Sequence, residues 1–123
     1  MEQIVKIMKA LADKTRLRII NLMLKSKKPL CICEIMHTLQ LAQYNVSKHM
    51  KELKSAGLVT EKRDGKFIYY SLIEPEDKYL SDIFSGLAAV PEKTLAEDKK
   101  RLCCTLKERI KDKCCGLIKG NRE

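Results

Sequence analysis

The first apolar positions, Ile4, Val5, Ile7, Met8 and Leu11, recur at the three-and-four spacing of a single helix face. Asp13 follows as a natural N-cap for a second helix that carries Leu17, Ile20 and Leu24. Pro29 breaks that pattern. From about Ile32 to Leu39 a shorter helix presents Ile35, Met36 and Leu39, and Gln40 to Gln43 form a polar break. From Tyr44 to Ser55, Val46, Met50 and Leu53 repeat at i, i+4, i+7, which leaves Asn45, Lys48, Lys51, Glu52 and Lys54 elsewhere around the same helix. Gly57 is a natural stop. The stretch LVTEKRDGKFIYYSL then predicts two strands, residues 58 to 62 and 67 to 72, joined by a loop containing Asp64 and Gly65. Tyr69 and Tyr70 alternate across the second strand, so one of them faces the core. Pro75 opens a further helix with Tyr79, Leu80, Ile83, Phe84 and Leu87 on one stripe, and Pro91 begins a charged helix running to about Lys111, with a loose tail from Lys113. The fold class is therefore mainly α with a small β-hairpin: a helix-turn-helix followed by a wing.

Composition narrows what such a fold could serve. A chain of 123 residues with 45% apolar positions builds one modest core, so one domain is expected. The formal charge is +9, from 25 Lys and Arg against 16 Asp and Glu, which favours a polyanionic partner such as nucleic acid or an acidic membrane surface. No apolar run approaches the ~20 residues of a membrane span, and the first residues mix charge into a helical pattern instead of building a signal peptide, so a cytoplasmic protein without membrane partners is expected. The chain holds 6 cysteines. In a reducing compartment such clusters more often bind metals or sense redox state than staple a fold. His37 and His49 are far from most of them, and no Cys-x-x-Cys spacing appears, which argues against a structural zinc finger. Nothing assembles a nucleophile with its base, so an enzyme is not expected.

The element order, together with ALADKTRLRII, LCICEI, NVSKHMKELKSAGLV and RDGKFIYYSL, resembles the ArsR/SmtB family of winged-helix metalloregulators, and within it the arsenic-responsive repressors. The likeness covers about residues 4 to 73. It implies a winged-helix DNA-binding and dimerisation domain over residues 1-90, with residues 91-123 a basic, cysteine-rich helical extension. Lys14 stands where family members often carry Pro, which costs only a helix-starting preference.

If the helix over residues 44 to 55 enters a major groove, Gln43, Tyr44, Asn45, Ser47, Lys48, His49 and Lys51 are its candidate readers of base edges and phosphates. The resemblance places Ser47 and His49 on the recognition helix. A merely solvated face of Lys and Glu is the alternative, and the hairpin that follows argues for DNA. Arg63 and Lys66 flank the turn, where long cations reach a backbone or a narrow minor groove. Lys48, Lys51, Lys54, Lys62, Arg63 and Lys66 outnumber Glu52, Glu61 and Asp64 across the reading segment.

The LCICEI context matches the family's arsenic-site motif, which implies that the thiolates of Cys31 and Cys33 bind the ion. As(III) and Sb(III) take three sulfur ligands. Two small apolar thiols at a helix start would be the alternative without that context. On a regular helix residues two apart point about 200° apart, so both thiols gripping one ion is expected to deform the first turn. Several relatives carry a cysteine three residues further on; here that position is Met36, a poor thiolate substitute. Cys103, Cys104, Cys114 and Cys115 are candidates for the third ligand, for a second soft-metal site, or for scavenging or redox-active thiols. His37, one turn from Cys33, is a further, weaker candidate ligand.

The expected function is a repressor that binds an inverted-repeat operator as a homodimer and leaves it when As(III) or Sb(III) occupies the thiols, with no organic cofactor. The alternatives are a thiol redox or persulfide-sensing repressor on the same scaffold, a Cd- or Pb-type sensor, and, more distantly, a winged helix used only for protein contacts.

Overall fold

The computed structural model describes residues 1–109 of the chain. Helix α1 spans Glu2–Leu11 and α2 spans Lys14–Ser26; the Asp13 side chain accepts a hydrogen bond from the Arg16 backbone N–H, the N-cap expected from the sequence. A two-residue strand, β1 (Leu30–Cys31), leads into α3 (Ile32–Leu39), and Gln40 closes that helix in the left-handed conformation. After the turn comes α4 (Gln43–Ser55), then the hairpin of β2 (Val59–Asp64) and β3 (Phe67–Leu72). Helices α5 (Lys78–Ala88) and α6 (Lys93–Lys107) complete the described residues. The architecture is a winged helix-turn-helix, with α3 and α4 as its helical pair and the β2–β3 hairpin as its wing.

The hairpin is antiparallel, Val59 opposite Leu72 and Asp64 opposite Phe67, so its connection is only the two residues 65 and 66. Gly65 takes φ +65° there, a conformation a tight two-residue turn requires and a Cβ resists. The wing is therefore longer and tighter than the strand over residues 58 to 62 expected from the sequence.

The core is built where the apolar periodicity placed it. Ile19, Ile20 and Leu22 of α2, Ile35 and Leu39 of α3, Val46, Met50 and Leu53 of α4, and Leu58 lie essentially without solvent contact. Leu80 and Phe84 of α5 join them, and so does Leu102 of α6. Helix α6, which belongs to the segment read from the sequence as an extension, thus packs on α2 and α3 as part of the same body. Its contacts are also polar. Asp98, fully buried, binds the guanidiniums of Arg18 and Arg101, and the Thr38 and Thr105 hydroxyls meet at 2.8 Å. Among the described residues no helix is long and apolar enough to cross a membrane.

Helix boundaries also differ from expectation: the helix expected from Pro91 to about Lys111 is α6, Lys93–Lys107. The helix expected from Pro75 begins only at Lys78, capped by Asp77 in an extended conformation. The helix expected from about Ile32 does begin there, but Cys31, expected to share its first turn with Cys33, lies in β1: Leu30 pairs with Tyr70 and Cys31 with Tyr69, adding a third strand to the wing in the order β1-β3-β2.

Candidate nucleic-acid interface and thiol site

Helix α4 buries Val46, Met50 and Leu53 and turns the opposite side outward. Gln43, Tyr44, Asn45, Ser47, Lys48 and Lys51 are exposed on it, as the sequence pattern required. Tyr44 is 75% exposed, and the Lys48 ammonium stands 5.8 Å from its ring centroid. The wing tip adds Arg63 and Lys66, both exposed, with the Lys66 ammonium 5.6 Å from the Phe67 ring. An ion pair between Lys54 and Glu61 ties the last turn of α4 to β2, so helix and wing are held as one surface. Burial raises the Tyr70 hydroxyl above the ordinary phenol value, and the nearby Glu61 carboxylate pushes the same way.

His49 is the correction on this face. Its side chain is only 12% exposed and faces the body: Nδ1 lies 3.3 Å from the Arg16 guanidinium and 3.8 Å from the Asp13 carboxylate. Burial holds its pKa below the ordinary imidazole value; Asp13 opposes this, while Arg16 and Lys48 reinforce it. The ring joins α4 to the start of α2 and is not presented with the exposed polar side chains of that helix.

Cys31 and Cys33 sit where β1, β3 and α3 meet. Cys31 is 2% exposed and Cys33 half-buried, and both pack with Tyr69 and Phe67 in a small cluster beside the main core. As the N-cap of α3, Cys31 has an extended backbone (φ −88°, ψ 165°), and its N–H donates to the Glu34 carboxylate at 3.1 Å. The expected geometry of two thiols opposed on one regular helix is therefore corrected: Cys31 precedes the helix and only Cys33 lies on it.

Among the described residues, the remaining candidate ligands do not gather here. His37 is exposed. Cys103 and Cys104 are exposed on α6, whose inward positions are Asp98, Leu102 and Thr105. Among the described residues no three His, Cys, Asp or Glu side chains are grouped so as to hold a metal ion. Cys114 and Cys115 lie outside the described residues.

One buried group at this site carried no recognisable sequence signal. The Arg109 guanidinium, 6% exposed, donates to both oxygens of the Glu34 carboxylate at 2.7 and 2.8 Å. Glu34 occupies the third helical position after an N-cap, where a capping carboxylate belongs. Cysteine is not a residue that advertises an N-cap, and Arg109 lies in a run of charges that reads as solvated surface.

Three kinds of comparison agree on the family. Residues 13–61 match the family profile described as a bacterial regulatory protein of the arsR family. The arsenic resistance transcriptional regulator ArsR1 of Pseudomonas putida is 32% identical over 96 residues, covering 78% of this chain and 74% of that protein. Among solved structures, HlyU from Vibrio cholerae superposes with a TM-score of 0.61 at 27% identity, covering 72% of this chain and 95% of that one. The homodimeric winged helix-turn-helix domain of Mb0332 from Mycobacterium bovis gives a TM-score of 0.59 at 26% identity, covering 70% of this chain and 75% of that one. With a three-stranded wing, an exposed polar helix ahead of it and a 32% identical relative that is a transcriptional regulator, the chain belongs to the ArsR family and is a transcriptional regulator rather than an enzyme.

Proposed function

We propose that this regulator represses transcription by binding an inverted-repeat operator as a homodimer, and that it leaves DNA when As(III) or Sb(III) is taken by the thiolates of Cys31 and Cys33. The observation that carries the reading is the position of the thiol pair. It lies at the joint between wing and α3, and α3 leads directly into the exposed helix α4. A ligand that changes the shape of this joint changes how α4 and the wing are set relative to each other. Any ligand that prefers the altered joint weakens DNA binding by the same coupling energy, typically ~1 to 3 kcal/mol.

The donor chemistry is consistent with this. Soft thiolates select thiophilic ions over hard ones, and a metalloid in its trivalent state asks for three of them. The chain's own cluster supplies two. The third position is left to a sulfur from outside the cluster: Cys114, Cys115 or a small-molecule thiol. On the DNA side, Gln43, Tyr44, Asn45, Ser47, Lys48 and Lys51 enter the major groove, while Arg63 and Lys66 contact the backbone beside it. The arsenic resistance named for the Pseudomonas putida relative supports the choice of ligand.

The test is operator binding by the reduced full-length protein, titrated with arsenite, antimonite and polysulfide. Cys31→Ser and Cys33→Ser should each bind operator within about twofold of the parent, since serine is close in size. Each should stay bound at arsenite doses that release the parent. Release by polysulfide and not by arsenite would overturn the metalloid reading in favour of a persulfide sensor. Undiminished arsenite release from both variants would move the sensor to the other cysteines.

A further inference from the structure

The first turn of α3 is gripped from the far end of the described chain. Its N-terminus is closed by the Glu34 carboxylate, which is 1% exposed and accepts from the Cys31 N–H. The same carboxylate is held by both arms of the Arg109 guanidinium, just beyond the end of α6. Arg109 also donates to the Pro29 carbonyl, two residues before Cys31, and its guanidinium lies 5.8 Å from the centroid of the Tyr69 ring, which clusters with Cys31 and has Cys33 packed against that cluster. One side chain therefore touches the segment before the thiol pair, the residue after it and the ring covering it.

Stability alone does not account for this arrangement. A carboxylate at a helix N-terminus is already favoured by the helix dipole. Burying a guanidinium against it costs desolvation that the pairing repays only when the geometry is fixed, and what a buried fork adds is position. The neighbouring feature with a use for fixed position is the Cys31-Ile32-Cys33 turn.

We propose that Arg109 is a positioning residue of the thiol site: paired with Glu34, it holds this turn in the form that sets α3 and α4 for DNA, and a ligand drawing the two sulfurs together works against it. The inference rests on reading Cys31 and Cys33 as the sensor. Without the pair, the turn deforms while α3 stays where it is. The ligand then binds more easily and moves the DNA-reading helix less. Those two effects run in opposite directions, which a loss of general stability cannot imitate.

The experiment uses the reduced full-length chain and its Arg109→Lys and Glu34→Gln variants, each checked for a cooperative thermal transition. Lysine keeps the charge and loses the fork; glutamine keeps an acceptor for the Cys31 N–H and loses the charge, so failure of one variant to fold leaves the other. Three quantities are read: the alkylation rate of Cys31 and Cys33 by iodoacetamide without arsenite, arsenite affinity from sulfur–arsenic absorption, and the ratio of operator dissociation constants with and without arsenite. The expected result is severalfold faster alkylation, arsenite affinity equal to or tighter than the parent's, and an operator ratio reduced roughly fivefold or more from the 5- to 150-fold usual for allosteric coupling. Folded variants whose alkylation rates and operator ratio match the parent's overturn the proposal. Cys31→Ser is run beside them. An arsenite response that persists in Cys31→Ser defeats the sensor reading, while the alkylation rates still decide whether Arg109 holds the turn.

Discussion

His49 lies on the helix where the sequence placed it, but its side chain turns to the body and not outward with Lys48 and Lys51. It follows Val46 by three and precedes Leu53 by four, so it falls on the flank of the buried stripe of α4, and that spacing was the signal against its use as a reader. Its environment gives it a pH signature. In the unfolded chain the ring titrates near 6.5, whereas burial in the folded state depresses its pKa. Below 6.5 the unfolded state therefore binds more protons than the folded one, and stability falls as pH drops through that window, while above it this penalty is absent. Asp13 behaves differently: hydrogen bonding from the Arg16 backbone holds its carboxyl below 3.8, so its contribution is lost only in stronger acid. His49→Gln should thus lose less thermal stability than the parent between about pH 7 and about pH 5. The check is the melting temperature of both proteins across that range, with the imidazole titration followed by NMR. Parallel melting curves would show that the ring's setting is energetically idle.

The helices were legible because their apolar stripes are long enough to fix both type and phase, as α2 and α4 demonstrate. Strand β1 was not: two residues carry no alternation, and Cys31 entered the sheet through backbone pairing with Tyr69 that nothing in LCICEI announces. The same limit applied to α6. Its lysine-rich sequence reads as a charged, solvated helix, yet Asp98 points inward to hold Arg18 from α2 and Arg101 from its own helix. Those guanidiniums also donate to the Leu39 and Thr38 carbonyls at the end of α3, where cations suit the negative pole of the helix. The α6 segment therefore grips α3 at both ends: at one through Asp98, which holds Arg101 and the Arg18 of α2, and at the other through Arg109, just beyond the helix. Asp98→Asn leaves two guanidiniums facing a neutral amide in a buried place, at a cost of roughly 3 kcal/mol, the low end for a broken buried pair because both arginines keep some water contact. Urea denaturation should show the midpoint lowered with the slope unchanged. A midpoint within error of the parent's would mean that α6 is held by Leu102 and its apolar neighbours alone.

For the molecule as a whole, the apolar surface that remains uncovered bears on assembly. Helix α1 turns Ile7, Ala10 and Leu11 inward and still shows Val5 and Met8, 42% and 46% exposed, on its other side. Tyr79 on α5 and Val90 just after it are exposed as well. A helix apolar on two sides is the pattern of one shared between a core and a partner, and a two-fold dimer covers such a face with its own copy. The proposed operator makes the same demand from the other direction: an inverted repeat presents two equivalent half-sites one or two helical turns apart, and a two-fold protein engages both at once. Placing a charge in the apolar face should separate the copies without touching the reading surface. Met8→Glu is therefore expected to shift sedimentation from dimer to monomer while circular dichroism stays that of a folded winged helix. Its operator affinity should fall by two or more orders of magnitude as the second half-site stops contributing effective concentration. A monomeric variant that binds operator as tightly as the parent would mean that a single copy reads the site and that the apolar face of α1 serves something other than repression.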